Sequence, residues 1–215
     1  MNILVFDTST ETLAAGVRIG DGPLNTAVNE GFKHSETLLP SIAACLRDSN
    51  ASIKDIELIA CTSGPGSFTG LRIGMATAKG LSLALGVPWV GIPTLDCLAY
   101  GHGKEGGIVV PVLDARKNRV YAALYSGGQR TSQYLDVSIQ DLLATVQSED
   151  KVFFAGPDAD LLADYSLERP GFIILEDQPA RRLLGLAALA ETQYREKGPS
   201  ADGEGPLYIR EPEIG

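Results

Sequence analysis

The chain has 215 residues, 44% of them apolar, and a formal charge of −9. That length gives one large domain or two small ones with a sizeable core, and no apolar run approaches the ~20 residues a membrane-spanning helix needs. Nucleic-acid affinity comes mainly from Lys and Arg neutralising phosphate, so an acidic chain without a basic cluster is a poor candidate to grip RNA alone.

Cys45, Cys61 and Cys97 lie in apolar surroundings without CxxC spacing. They read as buried small hydrophobes, not as a disulfide framework. The opening residues MNILVFDTST carry no basic stretch and no small-residue cleavage site. They read as a first strand, and cytoplasmic residence is the expectation.

The run Ile3 to Phe6 closes at Asp7, and a polar turn follows over Thr8 to Thr12. Leu13 to Ile19, a Gly20-Asp21-Gly22-Pro23 turn and Leu24 to Asn29 complete an antiparallel three-strand meander. From Ser35 to Asp48, Leu38, Leu39, Ile42, Cys45 and Leu46 share one helical face. Pro40 is tolerated near the first turn, where amides lack helical partners. A strand over Ile56 to Cys61, a helix from about Ser67 to Leu85, a strand over Trp89 to Ile92 and a helix from about Thr94 to Tyr100 follow.

The second half repeats this order. Ile108 to Leu113 closes at Asp114, Val120 to Tyr125 and Thr131 to Val137 make the next two strands, and Ser138 caps a helix. Val152 to Ala155 and Phe172 to Leu175 are short strands around a helix near Asp158 to Tyr165. The last helix covers about Ala180 to Glu196. The duplicated βββαβαβα order predicts two similar RNase H-like α/β lobes, residues 1–102 and 103–215, as in the actin–hexokinase–Hsp70 (ASKHA) fold. The stretch from Gly198 to Pro206 has linker composition, and Leu207 to Arg210 is expected to dock as an extended piece that returns to the first lobe.

An enzyme of that fold grips ATP between its lobes with a Gly-containing hairpin after each first strand. Asp7, Thr8, Ser9 and Thr10 are the first-lobe candidates. The hydroxyls would reach phosphate and Asp7 would hold Mg²⁺ through water; equally, Ser and Thr would shape a tight turn. Asp114 and Arg116 occupy the equivalent second-lobe turn, which has no Gly, and Gly156 before Pro157 is the candidate adenosine turn. A self-contained ATP site is therefore doubtful. His34 and His102 belong to no paired-ligand motif, and no metal site is expected.

The helix after Gly64-Pro65-Gly66 is unusual. Gly70, Gly74 and Gly80 each cost up to about 1 kcal/mol relative to Ala. Gly70, Gly74 and Ala78 recur every four residues as a stripe that lets another backbone approach. The rest is almost wholly apolar, including Phe68, Leu71 and Met75, with Arg72 and Lys79 its only charges. Either its own chain encloses it or a partner covers it, and the partner reading is preferred. The helix carrying Leu38, Leu39 and Ile42 would complete a two-helix docking face, and two such faces would pack as a four-helix bundle.

The stretch Ser63-Gly64-Pro65-Gly66-Ser67-Phe68-Thr69-Gly70-Leu71-Arg72-Ile73-Gly74 resembles the signature of the TsaB (YeaZ) family, paralogues of TsaD. Asp7-Thr8-Ser9-Thr10-Glu11, His34-Ser35-Glu36, Leu38-Leu39-Pro40, Pro93-Thr94-Leu95, Asp114-Ala115-Arg116, Val120-Tyr121 and Tyr208-Ile209-Arg210 support it in order. The resemblance implies a non-catalytic scaffold that binds TsaD and works with the small ATPase TsaE. Together they move threonylcarbamoyl to adenosine 37 of tRNAs reading ANN codons. ATP, ADP and the metal ion then belong to the partner complex, with no intrinsic cofactor here, and tRNA is met only through the complex. TsaD's metal ligands lie in an HxxxH motif, of which this chain has only His34 in the comparable region. Docking onto TsaD, or onto a second copy as a homodimer, is expected through Leu38, Leu39, Ile42, Gly66, Phe68, Gly70, Leu71, Arg72, Gly74, Met75 and Ala78. The alternative is an autonomous kinase or ATPase of the same superfamily.

Overall fold

In the first sheet β1 (Ile3–Asp7), β2 (Leu13–Arg18) and β3 (Asn25–Asn29) form the expected antiparallel meander. β4 (Leu58–Gly64) pairs parallel with β1, and β5 (Trp89–Pro93) pairs parallel with β4, giving the order β3-β2-β1-β4-β5. β1 and β4 are buried along their whole length, as continuous apolar runs covered on both faces should be. The structure, a computed structural model, describes residues 1–31, 33–102 and 106–210.

Two helices cover one face of this sheet: α1 (His34–Asp48) and α2 (Phe68–Leu85). Leu38, Ile42, Met75 and Ala78 pack with Leu4, Phe6 and Leu13 there. Ser67 caps α2 by accepting a hydrogen bond from the Gly70 amide at 3.2 Å, and Gly86 ends the helix in the left-handed region at φ 68°. A short helix, α3 (Thr94–Ala99), follows β5.

The second sheet contains β6 (Ile108–Asp114), β7 (Arg119–Ala122), β8 (Tyr125–Ser126), β9 (Gln129–Arg130), β10 (Leu135–Ser138), β11 (Val152–Ala155) and β12 (Phe172–Ile174). Its main order is β10-β7-β6-β11-β12, the same plan as the first. Helices α4 (Ile139–Thr145) and α5 (Ala163–Glu168) accompany it. The expected strand Val120 to Tyr125 is interrupted after Ala122. β6 is long enough to pair with β7 near its end and with β8 at its start, so the chain breaks between the two and turns at Gly127-Gly128 into a small hairpin. The third strand consequently begins at Leu135 instead of Thr131.

The lobe boundary also differs from a division at residue 102. By contacts, one unit is Met1–Cys97 with Pro179–Leu207, and the other is Leu98–Gln178 with the chain from Tyr208. The last helix, α6 (Pro179–Lys197), belongs to the first sheet. The reason is the uncovered face of β1 and β4. Ile3, Val5, Leu58 and Val90 form a second apolar surface there, and Leu183, Leu186, Ala187 and Ala190 bury it. Among the described residues, no helix is long and apolar enough to cross a membrane.

Within the second unit Asp136 gathers two arginines. Arg210 reaches both carboxylate oxygens, through Nε at 2.6 Å and Nη2 at 2.7 Å, and Arg119 Nε donates to Oδ1 at 2.7 Å. Partial burial pushes this carboxyl up, but the arginine hydrogen bonds and charges outweigh it and hold it below its ordinary value. A depressed native value means stabilisation that is present above the unfolded carboxylate range and lost as pH falls through the native one. Asp136→Asn should therefore be less stable than the unsubstituted protein in urea at pH 7. The gap should close below about pH 4; a pH-independent gap would contradict the arrangement.

Candidate functional site

The first-strand turn is the chemical centre of the first unit. Asp7 ends β1 with no exposed surface. Its Oδ1 accepts from the Ser9 amide at 2.8 Å, the Ser9 hydroxyl at 2.6 Å and the Thr62 hydroxyl on β4 at 2.7 Å. Arg182 on α6 brings Nη1 to 3.1 Å from Oδ2 and is itself 3% exposed. The same Nη1 donates to the Thr10 hydroxyl at 3.1 Å. His34 Nε2 donates to the Thr10 carbonyl at 2.7 Å, and the Thr8 hydroxyl donates to the Gly70 carbonyl at 2.8 Å.

This geometry supports the tight-turn reading. A Mg²⁺-holding carboxylate must be open to water and metal. Asp7 has neither opening nor spare charge, because the Arg182 guanidinium already neutralises it. The residues present do not fit a magnesium ion at Asp7, and Thr8, Ser9 and Thr10 spend their hydroxyls inside the protein. Buried thiols nearby are inert as well: burial, with the Asp7 charge adding to it, pushes Cys61 up to about 12, and burial raises Cys97 far above its usual value.

The glycines of the GPG segment and of α2 serve the same turn. A Cβ on Gly70 would overlap the Thr8 carbonyl oxygen, one on Gly74 the Thr8 hydroxyl, and one on Gly66 the Ser9 carbonyl. The Ser67 amide donates to that Ser9 carbonyl at 2.7 Å. The small-residue stripe thus lets the Asp7–Thr10 backbone lie directly on α2. This corrects the expectation that Gly70, Gly74 and Ala78 are shaped for another protein. Leu38, Ile42, Leu71 and Met75 are likewise buried in their own unit, because the first sheet needs their apolar surface. Of the expected docking residues, Leu39 at 57% and Phe68 at 38% exposure face outward together with Arg72, while Gly66 is half-buried. Leu83, further along α2, is 87% exposed. The Arg72 guanidinium stacks 3.8 Å from the Phe68 ring centroid.

In the second unit Asp114 Oδ1 accepts from the Arg116 amide at 2.7 Å, and the Arg116 side chain lies 3.1 Å from Asp114 Oδ2. Arg116, Lys117 and Asn118 are all left-handed, at φ 64°, 56° and 57°. The Asp114 amide donates to Asp158 at 2.9 Å. Gly156 is needed at φ 107°, where a Cβ would come within 2.9 Å of the Val112 carbonyl. Close packing of its own strands accounts for this glycine.

Arg182 was not legible as part of the turn. The available signal was a charge on the apolar stripe of α6, beside Leu183, Leu186 and Ala187, which calls for a buried countercharge.

Gly70→Ala and Gly74→Ala should each cost at least about 2 kcal/mol in urea unfolding through overpacking. Gly80→Ala, where a Cβ meets nothing within 4 Å, should instead stabilise by up to about 1 kcal/mol. Equal effects at the three positions would contradict the inward role of Gly70 and Gly74.

Residues 31–169 match the family model described as TsaD, tRNA N6-adenosine threonylcarbamoyltransferase. The tRNA threonylcarbamoyladenosine biosynthesis protein TsaB of Bacillus subtilis (strain 168) is 30% identical over 221 residues, covering 98% of this chain and 94% of that one. YeaZ from Pseudomonas aeruginosa aligns with a TM-score of 0.76 at 25% identity, over 97% of this chain and 99% of that one. The ROK hexokinase from Thermus thermophilus, at 13% identity, shares the fold alone, with a TM-score of 0.51 over 91% of this chain and 99% of that one. The fold is the expected ASKHA one, and the chain belongs to the TsaB (YeaZ) family.

Proposed function

We propose that the chain is a non-catalytic scaffold and activator in the making of threonylcarbamoyladenosine in tRNA, working by binding TsaD together with TsaE. Family membership supports a part in that tRNA modification. The observation that carries the non-catalytic reading is the internal neutralisation of Asp7 by Arg182, with the turn's hydroxyls also spent inside. Nucleotide, metal ion and tRNA contact then belong to the complex, at adenosine 37 of tRNAs that read ANN codons. Cytoplasmic residence goes with this reading.

The docking surface in this account is the outward side of α1 and α2, with Leu39, Phe68 and Arg72 as anchors. Exposed apolar side chains on a helix that is otherwise apolar are costly in water and gain by being covered. The Arg72–Phe68 stack presents an aromatic and a cation together, side chains enriched at interface hot spots. A second copy of the chain would use the same surface when TsaD is absent.

Mixing with TsaD in size-exclusion chromatography should give a stoichiometric complex. Phe68→Asp and Leu39→Asp should abolish it while leaving the far-ultraviolet circular dichroism unchanged. Charged residues at Gly74 or Ala78 should unfold the first unit instead. Retained binding by both surface variants would refute the docking face. Saturating Mg-ATP should leave the thermal midpoint of the lone chain unmoved; a stabilisation of roughly 2–4 kcal/mol would instead favour an autonomous kinase or ATPase.

A further inference from the structure

Beyond α6 the chain forms a strap over the first unit. Gly198 leaves the helix at φ 82°. The Ser200 amide donates to the Trp89 carbonyl at 2.9 Å, and the Ser200 hydroxyl accepts from the Gly91 amide at 3.1 Å, both on the edge strand β5. The chain then turns, with the Glu204 amide donating to the Ala201 carbonyl at 3.0 Å. Lys79 on α2 holds this turn by its main chain, donating to the Asp202 carbonyl at 2.7 Å and to the Glu204 carbonyl at 2.5 Å. The strap ends where the Leu207 amide donates to the Ser63 carbonyl at 2.7 Å.

The strap is weakly held, yet its last contact meets a structural need. None of residues 198–207 is buried, and none belongs to the apolar clusters of the unit. Beside the strap a groove of about 460 Å³ is open, with Lys79, Leu83, Trp89 and Asp202 in its walls. A segment held by hydrogen bonds without buried apolar contacts opens locally at low cost. At the far end, Thr62 stands opposite Ile92 and Gly64 opposite Pro93 in the β4–β5 register, which leaves Ser63 at a bulge with no residue opposite it. Ser63 is 5% exposed, so its carbonyl needs a donor, and proline has no amide to give. Leu207 supplies one. Gly64 is closely enclosed as a result: a Cβ there would come within 2.5 Å of the Leu207 carbonyl oxygen and 3.1 Å of the Leu71 side chain on α2. The strap thus bears on the turn from which α2 starts, just before Phe68.

We propose that residues 198–207 are a releasable clasp. Seated, they fix the turn into α2 and with it the Phe68–Arg72 surface; released, they loosen both. The link to docking rests on the docking face of the proposed function. Linkage then runs in both directions: a partner that needs the ordered start of α2 favours the seated strap, and a seated strap favours the partner. Opening removes a donor from the Ser63 carbonyl and two acceptors from the Lys79 ammonium. The first loss changes the seated-to-open ratio by roughly 5-fold and the second by roughly 10- to 30-fold.

Hydrogen exchange on the full-length chain tests the clasp without a partner. Leu207→Pro removes the amide at Ser63, and Lys79→Met removes both ammonium bonds. The probes are the amides of Ser67, Gly70 and Leu71, hydrogen-bonded at 2.7, 3.2 and 2.8 Å where α2 begins. In both variants they should exchange roughly 5-fold faster or more, with exchange in β1 and the far-ultraviolet dichroism unchanged. Both variants should also bind TsaD roughly 5-fold more weakly, and TsaD should slow exchange at Ser200 and Leu207 in the unsubstituted protein. Unchanged exchange at the three probes in both variants would overturn the proposal. So would faster exchange spread through β1 in both, which would make the strap a fixed part of the fold, or faster exchange at the probes with undiminished TsaD binding. If the unsubstituted protein does not bind TsaD, the docking face is what fails, and the exchange result alone decides the clasp.

Discussion

A carboxylate with no contact with water must find its counter-charge inside the protein, and the first unit is organised around that requirement at Asp7. Isolated burial of such a charge is prohibitive, whereas a paired and hydrogen-bonded one is tolerable. Arg182 supplies the charge, and Ser9 and Thr62 supply the hydrogen bonds. The partners come from β1, the turn after it, β4 and α6. Three segments distant in sequence, β1 with its turn, β4 and α6, are thereby fixed to one atom group.

The same constraint sets the chemistry of α2. For the turn to close over Asp7, its backbone must run against the helix, and only glycine at 70 and 74 leaves room for Thr8. The glycine-rich segment is thus a packing device for the turn. The helix keeps its outward side for other purposes. Leu39, Phe68 and Arg72 stand at one part of that surface, and Lys79 reaches the tail at another. Under the proposed function, the carboxylate serves stability and the outward side of α2 serves contact.

Much of this was legible in the sequence, for identifiable reasons. Strands β1 and β4 announce themselves because strands buried on both faces are continuous apolar runs. The duplicated order gives two lobes because Asp7 and Asp114 close equivalent strands. Two things were hidden. Helical periodicity says that Gly70, Gly74 and Ala78 share a side, but not whether that side meets the chain's own turn or a partner. Nor does local pattern say which sheet α6 covers: its Leu183, Leu186 and Ala187 stripe suits either one, and the uncovered face of the first sheet decides. Arg182 and the strap contacts of Ser200 and Leu207 depend on that choice and were hidden with it.

Arg182 balances the charge of Asp7 as an ion pair, while Oδ2 itself makes no hydrogen bond among the described residues. A double-mutant cycle of Asp7→Asn and Arg182→Met, followed by urea unfolding of the lone protein, measures this directly. Arg182→Met alone should cost about 3–5 kcal/mol by stranding a buried charge. Combining it with Asp7→Asn should recover a coupling energy of about 2 kcal/mol or more. Additive losses, with Arg182→Met close to neutral, would show that the carboxylate does not depend on Arg182 and would contradict the account.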